Sequence, residues 1–384
     1  MSNRYDAIVI GIGAMGSAAC WELARRGVRV LGLEQFEIGH SRGSSHGLSR
    51  MIRMAYYEHP DYVPLLRRAY ALWDDLETAT GERVLFRTGG VYMGPPDGGV
   101  VAGSLASARQ HGLAHEHLSA DALRERHPQF RIPGNWQAVL EAAAGFLLPE
   151  RAIHLYARLA RAAGATLLEQ TPVLGWTAHR TSGELIVSTA GGEFVTRQLI
   201  VCGGAWSGRL LADLAVPLII TRQVLGWVKP ADTEPFALGK FPVWASENPD
   251  GTLLYGFPIQ PGETTLKVAW HGPGTPTDPD TVSRQTSAAD AATFLPALPH
   301  LLPDAVGPVQ EMRVCMYTNS PDHHFILDRH PRDPRITVAC GFSGHGFKFA
   351  SVIGELLART AIHGHMPPEA DFLSISRFKQ LRNV

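Results

Sequence analysis

Apolar residues recur along this chain with two different periods, and the changes between them outline its elements. Tyr5 to Ile10 has the apolar content of a parallel strand buried on both faces, and it passes directly into Gly11-Ile12-Gly13-Ala14-Met15-Gly16 and a helical stretch to about Arg26. Gly27 stops that helix, and Val28 to Leu33 supplies a second strand. Tyr62, Leu65, Leu66, Ala69, Leu72, Trp73 and Leu76 keep helical spacing, so Tyr62 to Glu77 reads as a helix with its aromatics in the core. Strands are predicted at Thr88 to Met93, Thr166 to Leu168, Leu185 to Thr189, Gly192 to Thr196 and Leu199 to Val201, and helices at Glu150 to Arg161 and Phe349 to Thr360. From Pro217 onward the pattern alternates, with turns at Asn248-Pro249-Asp250-Gly251 and Pro261-Gly262, which predicts antiparallel strands. If Leu266 to His271 is one of them, Lys267 and His271 share a face.

This order predicts an α/β chain, α+β overall, in which a Rossmann-like nucleotide-binding domain is interleaved with an antiparallel-sheet domain. The expected division gives 1–90, 150–217 and 321–384 to the first domain, and 91–149 and 218–320 to the second. A chain of 384 residues accommodates two such units.

Composition narrows the partners. Apolar residues make up 45% and charged residues 18%, with a formal net charge of -1, so neither a disordered tail nor a nucleic-acid surface is indicated. Cys20, Cys202, Cys315 and Cys340 form no CxxC pair, which argues against a zinc ribbon or a disulfide framework. His111, His115 and His117 lack the accompanying ligands of a metal site and read as surface histidines on a charged helix. Met1 to Asp6 carries no leader pattern, no apolar run is long enough to span a bilayer, and Arg382-Asn383-Val384 is no targeting address. The expectation is a cytoplasmic protein acting on small molecules, without membrane or nucleic-acid partners.

The candidate chemistry starts at the first turn. In GxGxxG, the first glycine permits the tight turn, the second lets backbone approach a pyrophosphate, and the third lets helix and strand pack closely. Glu34 closes the second strand, 18 positions after Gly16, where an acid takes ribose hydroxyls and favours NAD or FAD over NADP. The run Gly39 to Arg50 is rich in Gly, Ser and His and has no hydrophobic period, as suits a loop over an extended flavin, with Arg50 and Arg53 able to face the flavin edge and a carboxylate. Cys202-Gly203-Gly204 forms a second strand-to-glycine turn. Cys315, close to Arg313, is either a small buried residue or a thiolate able to hold a flavin; local sequence leaves both open.

Five stretches together carry a resemblance: GIGAMGSA, the loop HSRGSSHGLSRMIRMAYYEHPDYVPL, YGFP from Tyr255, CMYTNSPDHHFILD from Cys315 and GFSGHGFKFA from Gly341. The chain resembles the monomeric sarcosine oxidase and N-methyltryptophan oxidase family of flavin amine oxidases over nearly its whole length. That resemblance implies FAD joined covalently through Cys315, and oxidation of a small-molecule secondary amine by dioxygen to give the demethylated amino acid, formaldehyde and hydrogen peroxide, by a monomer. It further implies that Arg53 and Lys348 hold the substrate carboxylate, that Tyr255 and Tyr317 line the pocket, and that Lys267, Arg50, His271 and His345 surround the flavin and the amine. Lys267 is expected to be the fixed cation for the reaction with dioxygen. The implied cofactor contacts are Gly11, Gly13, Gly16, Glu34, Ser44, Val173, Cys315, Gly344, Gly346 and Lys348. Trp227, Trp244 and Trp270 are expected as bulky groups around the pocket, leaving substrate size open. Competing readings are an oxidase of primary or cyclic amino acids, of glycine oxidase or pipecolate oxidase type, and a non-catalytic dinucleotide-binding redox protein.

Overall fold

The computed structural model describes residues 3–178 and 183–378. The last residues of the expected 321–384 segment, with the C-terminal tripeptide, and Met1 and Ser2 lie outside the described residues.

Arg4–Ile10 sits within an eight-stranded sheet. Five strands run parallel in the order Thr166–Leu168, Val30–Leu33, Arg4–Ile10, Gly192–Val201 and Asp333–Cys340. Ala7 and Val9 join one hydrophobic core while Ile8 and Ile10 join another, so the strand is apolar on both faces because both faces are covered. The two short runs expected at 192–196 and 199–201 are one continuous strand, Gly192–Val201. Its first half pairs with Leu185–Thr189 and its second half with Asp333–Cys340 on the same edge.

Helices Ala14–Ala24, Tyr62–Thr80, Pro149–Ala162 and Ala350–His363 share one of these cores. The apolar stripe read from Tyr62 to Leu76 is buried throughout, and the helix continues to Thr80 before Gly81 ends it at φ 68°. A Cβ on Gly354 would stand 2.5 Å from the Ala18 Cβ, so glycine is what lets the first and last helices touch. Glu355 links further elements, accepting from Arg68 at 2.6 Å and lying 3.8 Å from Arg26.

A second sheet has nine strands, with Ile219–Val228 flanked by Val309–Asn319 on one edge and by Leu266–His271 and Thr275–Pro276 on the other. It is antiparallel as expected except for one pair, Val243–Glu247 beside Gly90–Gly94, which run parallel. A small sheet of Arg50–Ile52, Gly145–Leu147 and Leu85–Arg87 holds the chain that leaves the glycine- and serine-rich loop. Among the described residues, no helix is long and apolar enough to cross a membrane.

The glycine fingerprint gives a direct test. A Cβ on Gly16 would lie 1.8 Å from the Gly11 carbonyl oxygen, whereas one on Gly13 meets nothing within 4 Å. Gly16→Ala is therefore expected to destabilise the protein by about 2 kcal/mol or more through a backbone clash, and Gly13→Ala to change its stability little; thermal denaturation of the two variants distinguishes them.

Candidate functional site

A cavity of about 690 Å³ opens along the carboxyl ends of the parallel strands, the place where open α/β sheets bind ligands. Its lining runs from Glu34, Gly39 and Val173 past Gly11, Gly13 and Cys202 to Tyr317, Gly344 and Gly346. Gly11 holds φ 84°, and its missing Cβ would strike the Cys202 carbonyl, so the two strand-to-glycine turns meet there. Gly13 faces free space at the start of helix Ala14–Ala24, which leaves backbone N–H groups for an anion. Glu34 accepts the Ile12 N–H at 2.8 Å and the Phe36 N–H at 3.0 Å, with the His40 Nε2 at 3.5 Å. A buried carboxylate, a glycine-lined helix start and many backbone donors along one elongated cavity fit a dinucleotide such as FAD. Gly16 does not line this cavity; it acts beneath it, against Gly11.

The loop from Gly39 to Ser49 has no regular structure, and Gly39, Gly43, Ser44, Ser45 and Arg50 line the cavity. Cys315 is buried just behind them, on Val309–Asn319. Its Sγ lies 3.7 Å from Arg50 Nη2 and 3.7 Å from the Ser44 carbonyl oxygen, and Arg50 Nη2 donates to that same carbonyl at 2.9 Å. The arginine at the sulfur is thus Arg50. Arg313, its sequence neighbour, instead pairs with Glu311 at 2.5 Å and stacks 5.0 Å over Trp227.

Lys267 follows from strand Leu266–His271, which points it and His271 to one face. Its Nζ donates to the Gly47 carbonyl at 2.6 Å, the Ser49 carbonyl at 2.8 Å and the Ser49 hydroxyl at 3.2 Å. Burial and then the charge of Arg50 push the Lys267 ammonium well below the usual lysine range, with Glu150 and Cys315 acting in the opposite sense. His271 Nδ1 lies 3.1 Å from the Tyr317 hydroxyl, and burial pushes the imidazole down to about 4. Burial raises both Tyr255 and Tyr317, so both stay neutral.

Arg53 is not open to solvent. Its Nη2 donates to both Glu58 carboxylate oxygens at 2.7 and 2.5 Å, its Nη1 donates to the Ala55 carbonyl at 3.1 Å, and its guanidinium lies over Tyr56 and Tyr57 at 4.3 and 4.4 Å. Glu58 was not singled out in the sequence; its only signal is an acid five positions after Arg53. Burial alone would raise the Glu58 carboxyl, but Arg53, His345 and Lys348 overcome that and hold it at about 2. Lys348 Nζ donates to the His345 carbonyl at 2.7 Å, and burial followed by Arg53 pushes its pKa down to about 7, with Glu58 offsetting part of the fall. His345 turns both ring nitrogens away from the cavity: Nδ1 meets the Tyr56 hydroxyl and Nε2 the His323 carbonyl at 2.9 Å. Gly344 and Gly346 bring its backbone to the cavity wall, and a Cβ on Gly344 would lie 2.5 Å from the Tyr317 ring.

Two expectations change. None of Trp227, Trp244 and Trp270 lines the cavity; Trp244 is fully buried against Phe130 in the core of the second sheet. Of the three histidines read as lying on one helix, only His111 does. His115 lies in the following loop, and His117 is on strand Glu116–Ser119 with Nε2 2.8 Å from Gln137. Among the described residues, no group of His, Cys, Asp and Glu could hold a metal ion. A residue overlooked within the loop is His46, buried with neither ring nitrogen hydrogen-bonded, and held neutral by burial and then by Arg50 and Lys267.

Residues 6–360 match the FAD dependent oxidoreductase family. The chain is 43% identical over 367 residues to monomeric sarcosine oxidase of Streptomyces avermitilis, covering 95% of each protein. It is 37% identical over 379 residues to N-methyl-L-tryptophan oxidase of Salmonella heidelberg, covering 98% of this chain and 100% of that protein. Among solved structures, the open form of NikD, an amino acid oxidase of nikkomycin biosynthesis, superposes with a TM-score of 0.84 at 23% identity over 97% of both chains. Glycine oxidase from Geobacillus kaustophilus gives 0.80 at 22% identity, over 97% of this chain and 99% of that one. These two share the fold.

The Lys348 position generates a pH test. Below about 7 its ammonium is charged and attracts a carboxylate; above, it is neutral. Affinity for acetate, measured by calorimetry, is expected to fall as pH rises through this range, by up to about tenfold per unit. In Lys348→Met the affinity that remains should lose that dependence.

Proposed function

The chain belongs to the FAD-dependent oxidoreductase family, and from that premise we propose that it oxidises a secondary amine, an N-methyl amino acid such as sarcosine or N-methyltryptophan, with dioxygen. The amine, dioxygen and water yield the demethylated amino acid, formaldehyde and hydrogen peroxide. Held along the cavity by the residues named below, FAD would supply the two-electron acceptor chemistry that links oxidation of the N-methyl group to reduction of dioxygen. The observation that carries this reading is the single cavity joining the Glu34 end to Tyr317, with Arg50 in its wall and Cys315 directly behind that wall.

On this reading residues 1–90, 150–217 and 321–384 form the cofactor domain, and 91–149 with 218–320 the substrate domain. Gly11, Gly13, Glu34, Ser44, Val173, Gly344 and Gly346 hold FAD, with Gly16 and Lys348 supporting the turns behind it. Cys315 supplies the covalent attachment, its sulfur 3.7 Å from Arg50 Nη2 at the cavity wall. Arg53 and Lys348 anchor the substrate carboxylate. Glu58 now takes the Nη2 donor of Arg53 that such a carboxylate would use, so binding exchanges one carboxylate for another. The same cations disfavour an ammonium nearby, which keeps the amine nitrogen neutral with its lone pair available. Tyr255 and Tyr317 shape the pocket, while His271 fixes the Tyr317 hydroxyl. Lys267 is a buried cation whose charge favours negative charge developing on dioxygen. The protein acts as a monomer.

Two measurements test the reading. After acid precipitation of the wild type, the yellow colour should stay in the pellet, and in Cys315→Ala it should pass into the supernatant; yellow supernatant from the wild type would remove the covalent attachment. Lys267→Met should bind and oxidise the amine anaerobically much as the wild type does, yet react with dioxygen slower by about 100-fold or more. Stopped-flow reoxidation decides this, and an unchanged rate would exclude the role given to Lys267.

A further inference from the structure

Segment 141–150 runs beside segment 47–55 as a template. Its strand Gly145–Leu147 pairs antiparallel with Arg50–Ile52, Leu147 opposite Arg50 and Gly145 opposite Ile52. The strand ladder stops there, and a carboxylate continues the pairing beyond each end. At one end Glu150 Oε1 accepts the N–H groups of Gly47 at 2.6 Å and Leu48 at 3.2 Å. At the other, Glu141 accepts those of Met54 at 2.7 Å and Ala55 at 3.0 Å, and its Oε2 lies 3.4 Å from the Tyr92 hydroxyl. Arg50 and Arg53 stand between the two brackets.

The first bracket secures an unfavourable turn. Gly47 has φ 99° and Leu48 φ 69°, a left-handed pair that leucine adopts only when its surroundings fix it. Glu150 holds the N–H groups of this turn while Lys267 Nζ holds the Gly47 and Ser49 carbonyls, so a carboxylate and an ammonium grip the same backbone from different groups. Arg50 and Arg313 add positive charge around Lys267, His46 stays neutral, and Glu150 acts against the two arginines. At the second bracket the Ala55 carbonyl accepts from Arg53, so the turn fixed by Glu141 also fixes the guanidinium.

The geometry points to Glu150 and Glu141 as two positioning residues with separate outputs: Glu150 sets the turn that aims Lys267 and Arg50, and Glu141 sets the turn that aims Arg53. Neither lines the cavity. The kinetic consequence rests on the amine-oxidase reading; the backbone consequence does not.

Hydrogen–deuterium exchange of the holoenzyme, read on overlapping peptides, tests the backbone part. Glu150→Ala should raise exchange at residues 46–49 about tenfold while leaving 53–56 unchanged. Glu150→Gln, whose one carbonyl oxygen can accept both N–H groups, should restore protection. Glu141→Gln keeps one acceptor oxygen, so it serves even where Glu141→Ala fails to fold, and it should raise exchange at 53–56 alone. In the same proteins Glu150→Ala should slow the reaction with dioxygen about tenfold with acetate affinity within about twofold, and Glu141→Gln should do the reverse. Equal losses in both measurements for both variants, or unchanged exchange, would overturn the proposal. A wild type that neither oxidises N-methyl amino acids nor binds acetate would overturn the amine-oxidase reading instead, and the exchange test would still stand.

Discussion

Placing several cations in the interior is the constraint on which the rest of this site depends. Arg53, Lys267 and Lys348 are buried and Arg50 is half-buried, and removing an ion from water costs several kcal/mol unless it is locally compensated. The compensation is of two kinds. Arg53 meets a full carboxylate, Glu58. Lys267, Lys348 and Arg50 meet backbone carbonyls, which satisfy their N–H donors without cancelling their charge. Carbonyl compensation therefore leaves a positive field, which suits both an anionic ligand and negative charge arising during a reaction.

Carbonyls can do this only if the backbone is held still with its oxygens aimed inward. That explains why irregular loops around the cavity are held by side chains from distant segments. The turn at Gly47 and Leu48 is gripped by Glu150, and that at Met54 and Ala55 by Glu141. The loop at Gly344 is set by close contact with Tyr317, and helix Gly99–His111 starts on the Glu247 carboxylate, which accepts from Gly99 at 2.9 Å and Val100 at 3.0 Å. Strands for Glu141 and Glu247 and the first turn of helix Pro149–Ala162 for Glu150 supply the anchor points, and single charged side chains carry that rigidity into the loops.

This division also explains what could be read from the sequence. The strand, glycine turn, helix and second strand at the amino terminus were legible because each rests on local period and on glycines whose function is steric. The face shared by Lys267 and His271 was legible for the same reason. Glu58 in a loop, Glu141 on a strand and Glu150 in a helix were not, because a lone glutamate looks like any solvated acid until the fold brings its partner alongside. Glu141 and Glu150 meet their partners across 86 to 103 positions. The same limit misled the reading of Arg313 beside Cys315: sequence neighbours on a strand need not share partners, and the sulfur meets Arg50 from 265 positions away. Bulk misled in the case of Trp244, since a large aromatic fills a core as readily as it walls a pocket.

The cations that prepare the site also burden the folded state, and the signs can be worked out. Lys348 sits at about 7 in the folded chain, below its ordinary value, so between the two the unfolded chain binds more protons and stability rises with pH. Glu58, held at about 2, contributes stability that is present above the ordinary carboxylate range and is lost as pH falls through its folded value. Both groups thus favour the folded protein at higher pH, where Lys348 is neutral and least able to hold an anion. A carboxylate held beside Lys348, as proposed, would reverse this, because it would favour the ammonium form. Burial and Arg53 thus favour neutral Lys348, and an anion in contact with it would shift the balance toward the charged form.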